Sequence, residues 1–134
     1  GALGRRLLTH VRDVMRARDA VPTVTTASTV TEALLQVTRG GMGMTEEIDA
    51  NGAVAGVFTD GDLRRAIDRL GDVRTVPVAD VMSRHPKSIP AHRLAAEAAD
   101  LMETQRVSQL LVTDEHGALA GALTMHDLMQ AKVI

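Results

Sequence analysis

Two stretches of the chain carry the same succession of hydrophobic and polar positions. Each opens with a short extended segment accompanied by proline, at 22–25 and 87–89, and continues into an amphipathic helix. Two strands around a tight turn follow, and a second helix closes each stretch. The order strand, helix, strand, strand, helix with short connections predicts an α/β (α+β) fold, in which each stretch forms a small, mostly antiparallel sheet.

The helices and turns carry specific signals. In each first helix, apolar residues at helical spacing form one stripe. The stripes are Val30, Ala33, Leu34 and Val37 in the first stretch, and Leu94, Ala95, Ala98, Leu101 and Met102 in the second. Thr29 and Glu32 have capping-box spacing, whereas the second stretch has no obvious cap. Asn51-Gly52 indicates a hairpin turn, and the closing helices are predicted at Asp60–Leu70 and 125–131.

The two stretches are an internal repeat. Residues 49–63 overlay residues 114–128 with eight of fifteen positions identical, and 11–15 overlay 78–82 with four of five identical. We therefore predict two homologous units, at 11–70 and 78–134, joined by a linker at 71–77. Because a unit of about 60 residues buries little surface alone, we expect the two to pack together about a pseudo-two-fold axis.

One predicted strand breaks the repeat pattern. Glu46 and Glu47 stand where the second unit has Leu111 and Val112, and one of two consecutive strand residues should face apolar packing. An edge position, a frayed strand or a local binding role would each account for them.

Composition narrows the function classes. Fifteen basic against seventeen acidic residues leave a net charge of −2, too balanced for a nucleic-acid binder that relies on a positive field. The absence of Trp and Tyr removes the usual platforms for stacking bases, and the absence of Cys excludes disulfides and thiolate chemistry. No apolar run approaches a membrane span, and residues 1–8 lack the layout of a signal peptide. We expect a soluble, cytoplasmic domain with no nucleic-acid or membrane partner.

The sharpest candidate chemistry is a Thr-x-x-Asp motif that occurs twice, each time after a strand glycine. Thr59 and Asp62 form one copy and Thr124 and Asp127 the other. At a helix start, a threonine hydroxyl and free amides can hold a phosphate, while the aspartate accepts hydrogen bonds from sugar hydroxyls. The same spacing is also an ordinary helix N-cap.

Other residues carry weaker signals. Arg64 and Arg65 could reach an anionic ligand or lie in solvent, and His126 could contact ligand or solvent. The histidines show no metal-binding spacing, so no metal site is predicted. The glycine-rich run at 40–43 has no Walker lysine and is expected to end a helix and enter a strand, with Met42 and Met44 in the core or lining a cleft. No catalytic grouping stands out.

These motifs resemble a tandem of cystathionine-β-synthase (CBS) domains, a Bateman module. The Asp-Val-Met starts, the Gly-x-x-Thr-x-x-Asp endings and their spacing of about 65 residues carry the resemblance. More narrowly, the runs at 1–5, 34–39, 43–45, 56–65, 79–82 and 125–128 are similar to the C-terminal part of D-arabinose 5-phosphate isomerases. The similarity spans essentially the whole chain.

The resemblance implies a function. The family places a sugar-isomerase (SIS) domain, which interconverts D-ribulose and D-arabinose 5-phosphates for Kdo and lipopolysaccharide synthesis, before its CBS pair. Residues 1–10 are then the linker from that domain, and the CBS pair is a regulatory module without isomerase activity of its own. CBS pairs bind adenosyl nucleotides between their units, and CMP-Kdo is a sensible feedback ligand here. By motif matching, Thr59, Asp62, Thr124 and Asp127 would bind it, with no required cofactor, and the site containing His126 would be preferred.

Alternatives stay open at this level. The chain could be a structural dimerisation module with a vestigial cleft, or the CBS pair of another enzyme. Catalysis by these residues themselves has no nucleophile–base pair in its favour. A homo-oligomer formed through CBS pairs is expected in either of the first two cases.

Overall fold

The computed structural model describes residues 7–134. Its helices are, in chain order, α1 (Val11–Val14), α2 (Val30–Gly40), α3 (Asp60–Leu70), α4 (Ala95–Gln105) and α5 (Met125–Gln130). Its strands are β1 (Arg16–Ala17), β2 (Thr23–Thr25), β3 (Met44–Ile48), β4 (Val54–Thr59), β5 (Ser88–Pro90), β6 (Gln109–Thr113) and β7 (Leu119–Thr124). Short 3₁₀ turns lie at Arg18–Ala20 and Val78–Asp80. The predicted order of strand, helix, strand, strand, helix is confirmed in both stretches.

The chain packs as two compact units that cut across the sequence repeat. Residues 21–86 form one, called here the central unit, and residues 87–134 together with the described part of 1–20 form the terminal unit. The repeats predicted at 11–70 and 78–134 therefore exchange their opening segments. Residues 71–77, predicted as a linker, lie within the central unit, where Val73 is part of the core. Residues 1–6 of the linker predicted at 1–10 lie outside the described residues.

Each unit contains one mixed sheet. The strand order is β2-β3-β4 in the central unit and β1-β7-β6-β5 in the terminal unit. The pairs β2–β3 and β5–β6 are parallel, because a helix crosses over between their members, and the remaining pairs are antiparallel. The sheets are thus less purely antiparallel than the hairpin signals alone indicate.

The hairpin turns follow one design in both units. An aspartate opens each turn and accepts two backbone hydrogen bonds, from Asn51 and Ala53 in the central unit (2.9 and 3.0 Å) and from the matching residues of the terminal unit (2.8 and 2.9 Å). These bonds lower the pKa of the Asp114 carboxyl. Gly52 and Gly117 take positive φ angles of 81° and 78°, which confirms the predicted turn at Asn51-Gly52.

The first helix of each unit begins against a segment contributed by the other repeat. These exchanged segments are residues 76–83 in the central unit and 9–17 in the terminal unit. Thr29 and Glu32 form the predicted capping box of α2, and the amide of Val30 also donates to the carbonyl of Val76 at 2.9 Å. Helix α4 has no side-chain cap, as predicted, and its first amide, on Ala95, donates to the carbonyl of Thr9 at 2.8 Å. The exchanged segments thus satisfy donors that a helix start leaves open.

Both helix stripes face the cores. The buried core of the central unit is Val24, Val30, Ala33, Val37, Phe58, Ala66, Val73 and Val78. That of the terminal unit is Val11, Ile89, Ala95, Ala98, Met102, Leu110, Val112, Leu123, Leu128 and Val133. Helix α2 ends at Gly40, with Gly41 in the left-handed region, and Met42 and Met44 are buried. The prediction for residues 40–43 is confirmed.

A glycine lets each exchanged segment cross its sheet. In the central unit, Ser83 exchanges two backbone hydrogen bonds with Val57, at 2.8 and 2.9 Å, and a Cβ on the adjacent Gly56 would lie 2.5 Å from the Ser83 carbonyl oxygen. In the terminal unit, a Cβ on Gly121 would clash with the carbonyl of Arg16 in β1. Only glycine admits this approach of two backbones.

Strand β3 buries both of the unexpected glutamates. Glu46 and Glu47 are 1% and 2% exposed. Strand β3 lies between β2 and β4, so neither an edge position nor a frayed strand accounts for them.

Glu47 occupies a core position. It lies opposite Gly56 of β4, in the register that Val112 has opposite Gly121 in the terminal unit. Among the described residues, Oε2 of Glu47 has no hydrogen-bond partner. Burial raises the pKa of this carboxyl, and the positive charge of Arg84 opposes the shift. A buried acceptor without a donor makes Glu47 a cost to folding.

Replacing Gly56 by alanine is expected to lower the free energy of unfolding by about 1–3 kcal/mol, because the new methyl group displaces the segment that carries Ser83. Urea unfolding followed by circular dichroism measures the effect. Gly61→Ala is the control, since its Cβ would meet only the flexible end of the Arg65 side chain at 3.3 Å. Wild-type stability in Gly56→Ala would contradict the crossing constraint.

Replacing Glu47 by valine is expected to raise the free energy of unfolding at pH 7 by about 1–3 kcal/mol, since it removes a buried acceptor without a donor. Urea unfolding measures this gain. A valine variant no more stable than wild type would show that the buried carboxylate costs nothing.

The glutamine variant at the same position isolates the charge. Because the folded-state pKa of Glu47 is raised, ionisation opposes folding: its contribution to stability is most favourable below the unfolded-state pKa and is lost as pH rises through the folded-state pKa. Glu47→Gln should therefore gain stability relative to wild type as pH rises from about 4. Unfolding from pH 4 to pH 8, with the exposed Glu103→Gln as control, tests this. Parallel curves for wild type and Glu47→Gln would refute it.

Candidate functional site

The candidate motif of the central unit lies where β4 runs into α3. The hydroxyl oxygen of Thr59 accepts from the amide of Asp62 at 3.2 Å, and Asp62 Oδ2 accepts from the amide and the hydroxyl of Thr59 at 3.0 and 3.1 Å. The two side chains are thus reciprocal caps of the helix. The Thr59 hydroxyl already acts as donor and acceptor in this box.

The second oxygen of Asp62 is also engaged. Oδ1 accepts from Arg65 Nη2 and from the Ser83 hydroxyl, each at 2.8 Å. A carboxylate offers about four acceptor positions, and these four bonds use them. Asp62 is 5% exposed. This carboxylate is satisfied within the protein, so a sugar could bind to it only by displacing one of these donors.

The motif of the terminal unit has the same box and fewer bonds. Asp127 Oδ2 accepts from the amide of Thr124 at 3.0 Å, and the Thr124 oxygen accepts from the amide of Asp127 at 3.1 Å. Asp127 Oδ1 accepts from Arg16 Nε at 3.2 Å. Within the described residues, Asp127 therefore accepts two hydrogen bonds where Asp62 accepts four. It retains capacity for the hydroxyls of a ligand.

Ser83 and Arg16 occupy the same place in the repeat. Each follows an Asp-Val-Met sequence, and each reaches the aspartate of the unit into which its segment is exchanged. One position therefore supplies a neutral hydroxyl to Asp62 and a guanidinium to Asp127. Neither residue is among the site residues predicted from the sequence. Their signal was the repeat alignment together with the glycines, which required a second backbone beside the motif.

The remaining predicted site residues lie apart from the carboxylates. Arg64 is exposed on α3, and the ion pair to Asp62 is made by its neighbour Arg65. His126 is exposed, with Nε2 lying 3.3 Å from the side-chain nitrogen of Gln130.

Among residues 7–134, no helix is long and apolar enough to cross a bilayer. In the same part of the chain, no group of three or more His, Cys, Asp or Glu side chains is placed to hold a metal ion.

The chain is similar to proteins of known family, both in a family model and in curated relatives. The model of the CBS domain family matches residues 78–134. Over all 134 residues, the chain is 49% identical to the arabinose 5-phosphate isomerase KdsD of Pseudomonas aeruginosa, and it covers 41% of that protein. The chain thus spans about two fifths of the length of the curated relatives it matches.

Solved structures share the fold. A CBS-domain containing protein from Agrobacterium tumefaciens, ATU1752, is 25% identical with a TM-score of 0.83, over 92% of this chain and 93% of that one. CBSX2 in complex with AMP is 25% identical with a TM-score of 0.73, over 92% and 95% of the two chains. The resemblance drawn from the repeat motifs is confirmed: residues 78–134 match the CBS domain family, and the chain is similar along its whole length to a segment of the KdsD arabinose 5-phosphate isomerases.

Proposed function

We propose that this CBS pair is a ligand-sensing regulatory module that binds a nucleotide or a sugar nucleotide. The observation that carries the proposal is the Asp127 carboxylate, which is 12% exposed and keeps acceptor capacity beside a threonine and an arginine. A CBS protein of similar fold, CBSX2, has been solved in complex with AMP. An adenosyl nucleotide is accordingly the first ligand to test.

In the terminal unit, different residues of the motif would bind the sugar and the phosphate of the ligand. Asp127 accepts hydrogen bonds from the sugar hydroxyls, and Thr124 and the first amides of α5 lie beside the phosphate. Arg16 offsets the negative charge that the carboxylate would otherwise present to an anionic ligand. His126, exposed beside Asp127, is a further group that can contact the ligand.

The central unit binds less readily in this proposal. Thr59 and Asp62 have the same spacing, but ligand binding there must break the bond from Ser83 or from Arg65. Arg64, exposed on the same helix, is the cation available to a ligand that does so.

We extend the proposal to the enzyme of which this module would be part and to the pathway of that enzyme. Similarity to the KdsD isomerases supports a module that regulates an arabinose 5-phosphate isomerase in Kdo and lipopolysaccharide synthesis. The catalytic SIS domain precedes the module, the enzyme is a cytoplasmic homo-oligomer, and a downstream sugar nucleotide such as CMP-Kdo is the feedback ligand.

One observation favours a second function for part of the module. The four bonds on Asp62 engage this carboxylate fully within the protein, as in a residue with a purely structural function. A dimerisation module with a vestigial ligand site would carry this arrangement in both units, whereas Asp127 differs from it.

Asp127→Ala is expected to weaken binding of AMP or of CMP-Kdo about ten- to hundredfold, because each hydrogen bond to a charged group contributes about 1.5–3 kcal/mol. Asp62→Ala should weaken it much less, while lowering the free energy of unfolding. Isothermal titration calorimetry measures both. Asp100→Ala, which removes an exposed carboxylate of α4 in the same unit, is the control. Equal affinity in wild type, Asp62→Ala and Asp127→Ala would leave only the N-cap function for both motifs.

A further inference from the structure

The segment 9–17, called here the docked segment, is held on the terminal unit by backbone hydrogen bonds and by Val11, which is part of that unit's buried core. The carbonyl of Thr9 accepts from the first amide of α4, and the amide of Val11 donates to the carbonyl of Arg93 at 2.8 Å. At the other end, β1 pairs with β7, with Arg16 opposite Ala122. The elements of the segment are short, a four-residue helix and a two-residue strand.

One side chain of the docked segment reaches the candidate site. Arg16 Nε lies 3.2 Å from Asp127 Oδ1, with the two side chains 29% and 12% exposed. The carboxylate that anchors the segment is therefore the carboxylate assigned above to ligand hydroxyls.

We propose that Arg16 couples the occupancy of Asp127 to the docking of segment 9–17. Sugar hydroxyls that donate to Asp127 share its negative charge and weaken the pair with Arg16. Ligand binding then loosens the segment, and a loosened segment favours ligand by the same factor. This inference depends on the proposed function, since it assigns a regulatory output to the same site.

The central unit has no such coupling. Ser83, the counterpart of Arg16, is neutral, and the Asp62 it contacts is also held by Arg65 and by Thr59. The docked segment leads toward the N-terminus, where the proposed catalytic domain joins the module. A change in the docking of this segment would therefore reach that domain.

Hydrogen–deuterium exchange on the whole chain, with and without saturating AMP, tests the coupling. In wild type, AMP should speed exchange in peptides covering 9–17 about two- to fivefold, which is the range for loss of a partly exposed ion pair, and leave the peptides of α3, in the central unit, unchanged. Arg16→Gln should show this faster exchange without AMP and no further response to AMP that calorimetry shows to be bound.

The control removes the same charge two residues away. Arg18→Gln changes an exposed side chain of the 3₁₀ turn and should respond to AMP as wild type does. AMP binding to wild type without faster exchange at 9–17 would overturn the coupling and leave the proposed function standing. Loss of AMP binding in Arg16→Gln would also overturn it, by making Arg16 a ligand residue. If wild type binds neither AMP nor CMP-Kdo, the proposed function fails and the coupling fails with it.

Discussion

The contact on which each unit depends is the approach of two backbones over a glycine. Gly56 and Gly121 leave no room for a Cβ, since the carbonyls of Ser83 and Arg16 lie against them. The crossing fixes where each exchanged segment lies. Upstream of it, a carbonyl of the segment accepts from the first amide of α2 or α4, and the side chain of the crossing residue itself donates to the aspartate of the Thr-x-x-Asp motif. One steric requirement therefore positions both a helix start and a candidate binding group.

The two units share this backbone arrangement but place different side chains beside the aspartate of the motif. A hydroxyl at position 83 completes a closed set of bonds around Asp62, whereas a guanidinium at position 16 leaves Asp127 with acceptor capacity. The cores of the two units also differ at one position: the terminal unit has the apolar Val112 where the central unit has the buried, ionisable Glu47. The unit with the fully apolar core position is thus the one whose motif remains open to a ligand.

Local pattern predicted much of this fold because the elements are set by local chemistry. The stripes of α2 and α4, the capping box at Thr29 and the turn at Asn51-Gly52 each follow from neighbouring residues. The exchange of opening segments does not, since it depends on contacts between residues far apart in sequence. For the same reason the motif aspartates could be found from spacing, but Ser83 and Arg16 could not be found from any local pattern.

The same distinction explains why a capping motif can be a binding motif in one unit and not in the other. A carboxylate that caps a helix always spends one oxygen on the box, so its use in recognition depends on the partners of the other oxygen. Asp62 gives that oxygen to two donors at 2.8 Å, one of them from its own helix, so a ligand can bind there only by displacing one of them. Asp127 gives it to one arginine, in a longer ion pair of 3.2 Å, and keeps capacity for a further donor. A ligand that donates to this oxygen competes with Arg16 for it. Because Arg16 belongs to a short segment that pairs with the edge of the sheet, loss of the Arg16–Asp127 bond changes how firmly the backbone of that segment is held.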